Sequence, residues 1–460
     1  MRIPPTPGQA CRRLFLLGAI AFQICSLLAP PAMAQEQVLL SAFNDRTGNN
    51  PASGVILDRH GNVYGTTPVG GNLTTCGGMG CGVVFEIVRG ANGTWHDRTI
   101  YAFAGGPQDG ASPYSALTMD SQGRLFGATY YGGSGSCTAG QFAGCGIIFE
   151  LDQVSSGVWS EKILYNFLGG NDGAYPSASL LLDAQGNIYS TTTFGGGLNP
   201  CVTGRAPTGC GAVFELSPNT DGIWLENVLY RFQGGLDGVD PYSGLTRDLQ
   251  GNLYGTTLVG GSTACEQYLS GADCGTVYRL HHTAKGWTKS TLYQFQGGTD
   301  GFEPTGNLTR DASGNLYGTT YAGGNGFLSG FGSGTVYRLS PNSDGSFTET
   351  VIYTFGGLLD GGGPNSGVIL DSNGNLYGLA SGDGTSTPGY GGGTLFMLSP
   401  NASGPWSNTT IYSFQNWGLG LAPIGPVARD ANGNFYATGT GGTETKYCDP
   451  GCGTVFEVIP

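Results

Sequence analysis

The chain runs to 460 residues with 85 glycines, 39% hydrophobic and only 11% charged residues. That balance excludes a disordered polyampholyte and suits many short strands joined by glycine turns. A formal net charge of −13 repels nucleic acid and anionic membranes, so neither is an expected partner.

Residues 1–34 read as an export signal. Arg2, Arg12 and Arg13 precede the apolar run LFLLGAIAFQICSLL, and Ala32-Met33-Ala34 offers small residues before Gln35. The run is shorter than the roughly 20 residues a membrane span needs. Arg12-Arg13-Leu14-Phe15-Leu16 also resembles a twin-arginine signal, but the paired cysteines further along favour ordinary unfolded export. Removing the segment takes three arginines and no acid, which leaves 16 Lys and Arg against 32 Asp and Glu, a net of −16. No later stretch reaches spanning length, so the expectation is a secreted or cell-envelope protein with no membrane insertion after signal removal.

Next comes EQVLLSAF, Glu36 to Phe43, and then a block that returns seven times: an apolar run, Asp-x-x-Gly, and a short aromatic strand. It reads DRHGNVY from Asp58, DSQGRLF from Asp120, DAQGNIY from Asp183, DLQGNLY from Asp248, DASGNLY from Asp311, DSNGNLY from Asp371 and DANGNFY from Asp430, at spacings of 59 to 65 residues. A long repeat dictates architecture before any residue chemistry is considered. The fourth unit shows the pattern: SGLTRD, the turn LQG, NLYGTT, a variable loop to Cys274, GTVYRL, a turn at Lys285-Gly286, and WTKSTLYQF. These are four strands joined as hairpins, with Gly251 and its six equivalents left-handed at the Asp-x-x-Gly turn.

Strands such as LLLD and GVVFEIV are nearly continuously apolar, which means both faces are buried. Blades of a β-propeller meet that condition, whereas a parallel β-helix would need much shorter repeats. The sequence reaches GTVFEVIP, a third-strand pattern, while EQVLLSAF matches the fourth-strand pattern of ENVLYRF and STLYQF. The N-terminal segment is therefore expected to complete the last blade and close the ring. The fold expected is all-β, one seven-bladed β-propeller of four-stranded blades over 35–460. Its repeats lie near 52–103, 112–167, 176–232, 241–295, 304–355, 364–414, and 423–460 joined by 36–43. Trp95, Trp159, Trp224, Trp287 and Trp406, with Phe347 in one repeat, open the fourth strands and are assigned to packing between blades.

Cys11 and Cys25 leave with the signal. The other ten cysteines form close pairs: Cys76 and Cys81, Cys137 and Cys145, Cys201 and Cys210, Cys265 and Cys274, Cys448 and Cys452. Each pair sits at the same place in its repeat, and two repeats lack both partners instead of one. This all-or-none pattern predicts five local disulfides. Zinc is the weaker reading, because no histidine lies at hand.

The run LYxFxGGxDGxxP, GNLYGTTxxGG and CGTVFEL resembles the bacterial tandem-repeat group called GloVer, grouped with choice-of-anchor proteins. Here it is carried by Leu229, Tyr230, Phe232, Gly234, Gly235, Asp237, Gly238 and Pro241, then Gly251 to Thr257, then Gly275 to Tyr278, and it extends from about residue 36 onward. The resemblance implies an exported repeat protein, commonly with a C-terminal surface anchor, and implies no catalytic residues.

In a four-stranded blade the linkers between blades and the loops joining strands two and three open on one face, which is the expected binding face. Asp109, Asp172, Asp237, Asp300 and Asp360, each followed by glycine, form its most regular series. Five carboxylates around a ring suit calcium or a cationic ligand; the competing and favoured reading is turn chemistry, with each side chain bonded to nearby backbone. No other cofactor is expected. Tyr130, Tyr131, Phe194 and Tyr321 end second strands, and Trp417 lies in the aberrant seventh linker; such rings suit stacking on sugars or gripping a peptide, or else packing over the disulfides. His60, His96, His281 and His282 do not recur, and no G-x-S-x-G elbow, H-E-x-x-H helix, phosphate loop or dinucleotide fingerprint stands in a suitable context. The expected function is a non-catalytic binding or scaffold propeller, monomeric, recognising glycans or extracellular proteins. The alternative is a polysaccharide hydrolase or lyase using carboxylates such as Asp237 with Asp240, or Asp300 with Glu303.

Overall fold

Hairpin turns with a left-handed glycine set the geometry of every repeat. Gly61, Gly123, Gly186, Gly251, Gly314, Gly374 and Gly433 all have φ between 82° and 92°. In the first of these turns the Asp58 carboxylate accepts the amides of His60 and Asn62 at 2.8 and 2.9 Å and the Tyr64 hydroxyl at 3.4 Å. The aspartate thus pins the start of the second strand to the turn that precedes it.

A computed structural model describes residues 36–139, 142–197, 201, 209–267, 273–324, 332–357, 359–382, 392–401, 404–414, 422–441 and 451–460. The expected signal segment, Trp417 and Cys448 lie outside these residues. The turns generate seven antiparallel sheets of four strands, the fifth extended by the short strand Phe302–Pro304, and these are the blades of a propeller. Blade 1 comprises Ile56–Leu57, Val63–Thr67, Val83–Arg89 and Trp95–Ala102 in that spatial order. Blades 2 to 6 repeat it, with innermost strands Thr118–Met119, Leu181–Leu182, Thr246–Arg247, Thr309–Arg310 and Val368–Leu370. Blade 7 is composite: Pro423–Arg429, Phe435–Gly439 and Thr454–Ile459 are followed by the N-terminal strand Glu36–Ala42, paired from Glu36 opposite Ile459 to Ala42 opposite Thr454 with one bulge between Leu39 and Ser41. The expected ring closure is therefore present.

Second strands such as VYGTT are buried at every residue, as a sheet between two neighbours requires. Gly65 in that strand has a packing reason: a Cβ there would stand 2.4 Å from the Phe85 ring. The ring at this third-strand position pairs in every blade with the phenylalanine that ends the preceding blade, including Phe214 and Phe456, which stand opposite Ser190 and Ala437. Phe43–Phe85, Phe103–Phe149, Phe167–Phe214, Phe232–Tyr278, Phe295–Tyr337, Phe355–Phe396 and Phe414–Phe456 have centroids 4.8 to 5.2 Å apart. Each contact contributes about 0.5–1.5 kcal/mol beyond its area, and the first and last of them tie blade 7 to both of its neighbours. The strand-opening tryptophans also face the preceding blade, as Trp159 against Tyr64 and Trp406 against Tyr317.

Four of the expected disulfides are formed within single repeats, Cys76–Cys81, Cys137–Cys145, Cys201–Cys210 and Cys265–Cys274, with Cα separations of 5.0 to 5.4 Å. Together they point to an oxidising extracellular or periplasmic environment. Among the described residues no helix is long and apolar enough to cross a membrane.

Candidate functional site at the axial mouth

The linker residue before each proline adopts a conformation that sequence rules disfavour. Asn50, Ser112, Tyr175, Asp240, Glu303 and Ala422 have φ between 48° and 61°, and Gly363 completes the set at 62°. A left-handed residue before proline is costly, and the seam between blades is what holds it there. The amides of Ser112, Tyr175, Asp240 and Glu303 donate to the carbonyls of Cys81, Cys145, Cys210 and Cys274 of the preceding blade at 2.8 to 3.2 Å. Gly363 and Ala422 make the same bond to Ser333 and Gly392, and Asn50 makes it to Cys452. The disulfide cysteine thus anchors the next blade, which neither spacing nor composition reveals.

From this seam the seven innermost strands converge on an axial cavity of about 260 Å³. Its lining includes Tyr114, Tyr242, Thr305 and Asn365, one residue past the proline in their blades, with Ser53, Ser177, Ser243 and Ser366 beside them. The strands nearly touch: a Cβ on Gly306 would meet the amide nitrogen of Gly367 at an impossible distance, so only glycine fits. Asn307 spans the axis, accepting the Gly244 amide at 2.7 Å and donating to Ser179 Oγ at 2.9 Å. The cavity is narrow and framed mostly by small side chains, with serine, threonine and asparagine set among alanines, glycines and the two tyrosine rings.

Aromatic rings gather on one side of it. Tyr130 stacks on Tyr175 at 4.9 Å and 17°, and meets Tyr114 edge-on at 5.8 Å. Tyr131 stacks on Phe142 at 4.9 Å, and Tyr175 meets Phe194 at 5.9 Å. Burial first, then the neighbouring phenols and the charge of Asp240, push the Tyr130 hydroxyl above its ordinary range, so it stays a neutral donor. Tyr242 is 43% exposed and Tyr321, on blade 5, is 44% exposed. Of the rings singled out from sequence, Tyr130, Tyr131 and Phe194 come together and Tyr321 stands on another blade. Tyr114, Tyr175 and Tyr242 were missed, although P-Y-S in two repeats and Y-P in a third mark the three positions.

The aspartate series lies farther out along the linkers. Leu168, Gln233, Gln296 and Gly356 amides donate to Asp172, Asp237, Asp300 and Asp360 at 2.6 to 2.7 Å. The hydroxyls of Tyr165, Tyr230, Tyr293 and Tyr353 reach the same four carboxylates at 2.8 to 3.0 Å. Asp109 accepts the amides of Ala104 and Gly110, each at 2.6 Å. A second acid faces three members of the series from the next blade's outer strand. Burial, and then Asp109, Asp172 and Asp300 respectively, push the carboxyls of Glu161, Glu226 and Glu349 up to about 7. At the same register Lys289 pairs with Asp237 at 2.8 Å, and Asn408 donates to the Tyr353 hydroxyl at 2.9 Å. Among the described residues no group of three or more His, Cys, Asp or Glu side chains is placed to hold a metal.

Among solved structures, a fungal alcohol oxidase of the AA5 family in complex with copper superposes with a TM-score of 0.51 at 13% identity, over 92% of this chain and 76% of that one. The extracellular domain of what is described as a hybrid two component system from B. thetaiotaomicron gives 0.50 at 10% identity, over 91% of this chain and 39% of that one. These likenesses show the fold alone. No curated protein matches the sequence. A family model described as the Gloeobacter/Verrucomicrobia repeat matches residues 30–203, 135–326 and 202–456. With overlapping matches running through all seven repeats, this chain belongs to the Gloeobacter/Verrucomicrobia repeat family.

Proposed function

We propose that this protein is an exported, non-catalytic binding propeller whose axial mouth takes a glycan chain. The observation that carries the reading is the set of Tyr114, Tyr130, Tyr175 and Tyr242 on three neighbouring blades, beside a cavity whose other lining is mostly serine, threonine, asparagine and glycine. A sugar ring offers an apolar C–H face to an aromatic surface and a rim of hydroxyls to small polar groups, and this lining supplies both. Tyr242 lines the cavity and is 43% exposed, so Tyr242→Ala should weaken glycan binding on the order of tenfold with little change in melting temperature. A glycan array followed by calorimetry on the best hit tests this. An array without hits, or unchanged affinity in the variant, removes the reading.

The alternative, a secreted polysaccharide hydrolase or lyase, has one observation in its favour. Asp240 and Glu303 hold the same left-handed register on neighbouring blades beside the mouth. Asp237 and Asp300 accept linker amides, so this reading would rest on Asp240 with Glu303 in place of the pairs suggested by sequence. Release of reducing ends from a polysaccharide, lost in both Asp240→Asn and Glu303→Gln, would favour the enzyme.

A further inference from the structure

On the face of the Asp-x-x-Gly turns, away from the linkers, a cleft of about 700 Å³ opens between blades 1 and 2. Tyr64 and Trp159, with rings 6.1 Å apart, form aromatic walls, and Asp58, Glu86 and Met119 also line it. Between blades 3 and 4 the equivalent groove is filled by the protein's own guanidinium. There Arg247 lies over the Tyr189 ring at 5.3 Å and reaches Asp183 Oδ2 at 3.2 Å. Likewise Arg429 of blade 7 covers Tyr377 of blade 6 at 4.8 Å. Pairing register makes the positions equivalent: Arg247 stands opposite Leu253, Arg429 opposite Phe435 and Met119 opposite Leu125.

The receiving groups are equivalent too. The Tyr64 hydroxyl donates to Asp58 and Glu86 as the Tyr189 hydroxyl does to Asp183 and Glu215. Burial pushes the Asp58 carboxyl upward, but hydrogen bonds from Asn62 and His60 outweigh it and hold the group below its ordinary range, so it is anionic near neutral pH. Arg98 inside the cleft is committed to Glu86, and His60, whose side chain is 64% exposed, lies 3.5 Å from Asp58 at the rim. Blade 2 brings a methionine to the arginine's place, so the Tyr64 ring and Asp58 lack the guanidinium that lies on Tyr189 and Asp183. The Trp159 Nε1 donor is also buried with no hydrogen-bond partner, and an arginyl amide carries a carbonyl acceptor as well as the cation.

We propose that this cleft binds a guanidinium-bearing ligand, an arginine derivative or an arginine side chain of a peptide, with the planar cation on Tyr64 against Asp58. Cation–π contact and a charge-assisted hydrogen bond supply the affinity. The site is independent of glycan binding at the axial mouth. Calorimetry at low salt on the chain from Gln35 would use N-acetylarginine amide, its lysine counterpart, agmatine and an arginine-containing tripeptide. Saturable binding of the arginine probes is expected, with the lysine compound weaker by about fivefold or more because it lacks the planar fork. Tighter binding of the tripeptide than of agmatine assigns the ligand to peptides, and the reverse assigns it to small amines. Met119→Arg, which restores the internal cation, should abolish binding and raise the melting temperature. Asp58→Asn, which keeps a turn acceptor, should weaken binding on the order of tenfold. No binding at millimolar probe, equal lysine binding, or full affinity in folded Met119→Arg would each overturn the proposal.

Discussion

At the residue scale, the outer-strand position two residues after the opening aromatic decides how each linker aspartate is compensated. Glu161, Glu226 and Glu349 face an aspartate and have carboxyls raised to about 7; unfolded, they titrate near 4.5. A raised folded-state value means that these groups contribute stability fully below pH about 4.5 and lose it as pH rises through about 7. The melting temperature should therefore fall between pH 5 and 8. Replacing all three by Gln should flatten that slope and raise stability at pH 8 by on the order of 1 kcal/mol per site, after discounting for partial solvent screening. Thermal melts across this range check it, and an unchanged slope in the triple variant would refute it. The same position separates two of the aspartates. Asp300→Asn removes a like-charge neighbour of Glu349 and should be neutral or stabilising, whereas Asp237→Asn strips the ion pair from Lys289, whose side chain is 3% exposed. The second change should cost about 3 kcal/mol. If calcium raises the melting temperature equally in wild type and in all five Asp→Asn variants, the series only shapes turns; a rise lost with the substitutions would make it a cation site.

At the element scale, the unit that repeats is larger than a blade, because it includes the seam to the next one. The glycine after the second cysteine, Gly82, Gly146, Gly211 or Gly275, has φ between 91° and 95°, and a Cβ there would stand 2.4 to 2.6 Å from the next blade's proline ring. Gly334, Gly393 and Gly453 do the same where the disulfide is absent or its first cysteine is Cys448, with 2.2 to 2.8 Å to Pro364, Pro423 and Pro51. Gly275→Ala should therefore destabilise by about 3 kcal/mol, from strained backbone and overpacking together. Loss of the nearby disulfide by Cys265→Ala with Cys274→Ala should loosen one loop while the ring survives. Denaturant melts of both variants check the order, which a nearly neutral Gly275→Ala would contradict. This seam shows why part of the site was illegible. Repeats, turns and paired cysteines are local patterns and could be read directly. A left-handed Tyr175 before Pro176 runs against backbone preference, and the meeting of Asp172 with Glu226 depends on register between blades. Met119 in the arginine position acquires meaning only once blades 2, 4 and 7 can be superposed.

At the scale of the whole molecule, closure rests on one strand of seven residues. Glu36–Ala42 pairs along Thr454–Ile459, and Phe43 continues the ladder with a 3.0 Å bond from its amide to the Gly453 carbonyl. Around this strand blade 7 is joined to both of its neighbours: Phe43 packs on Phe85 of blade 1 at 4.9 Å, Thr438 Oγ1 donates to the Ser53 carbonyl of blade 1 at 2.8 Å, and the Tyr412 hydroxyl of blade 6 reaches Gln37 at 3.2 Å. The apolar pattern of EQVLLSAF was enough to anticipate the pairing, since a fourth strand was missing at one end and present at the other. Deleting Glu36 to Phe43 would expose the hydrogen-bonding edge of Thr454–Ile459, whose first five residues are buried. It would also remove Leu40 and Phe43 from the core between blades 7 and 1. An open edge of that length and apolarity pairs with other copies. The truncated chain should therefore aggregate, or melt at least 10 °C lower by the usual scaling of several kcal/mol. Light scattering and thermal melts on the truncated and full chains decide the matter: a monomeric truncation of unchanged stability would mean that the ring is held by its seams and not by its closing strand.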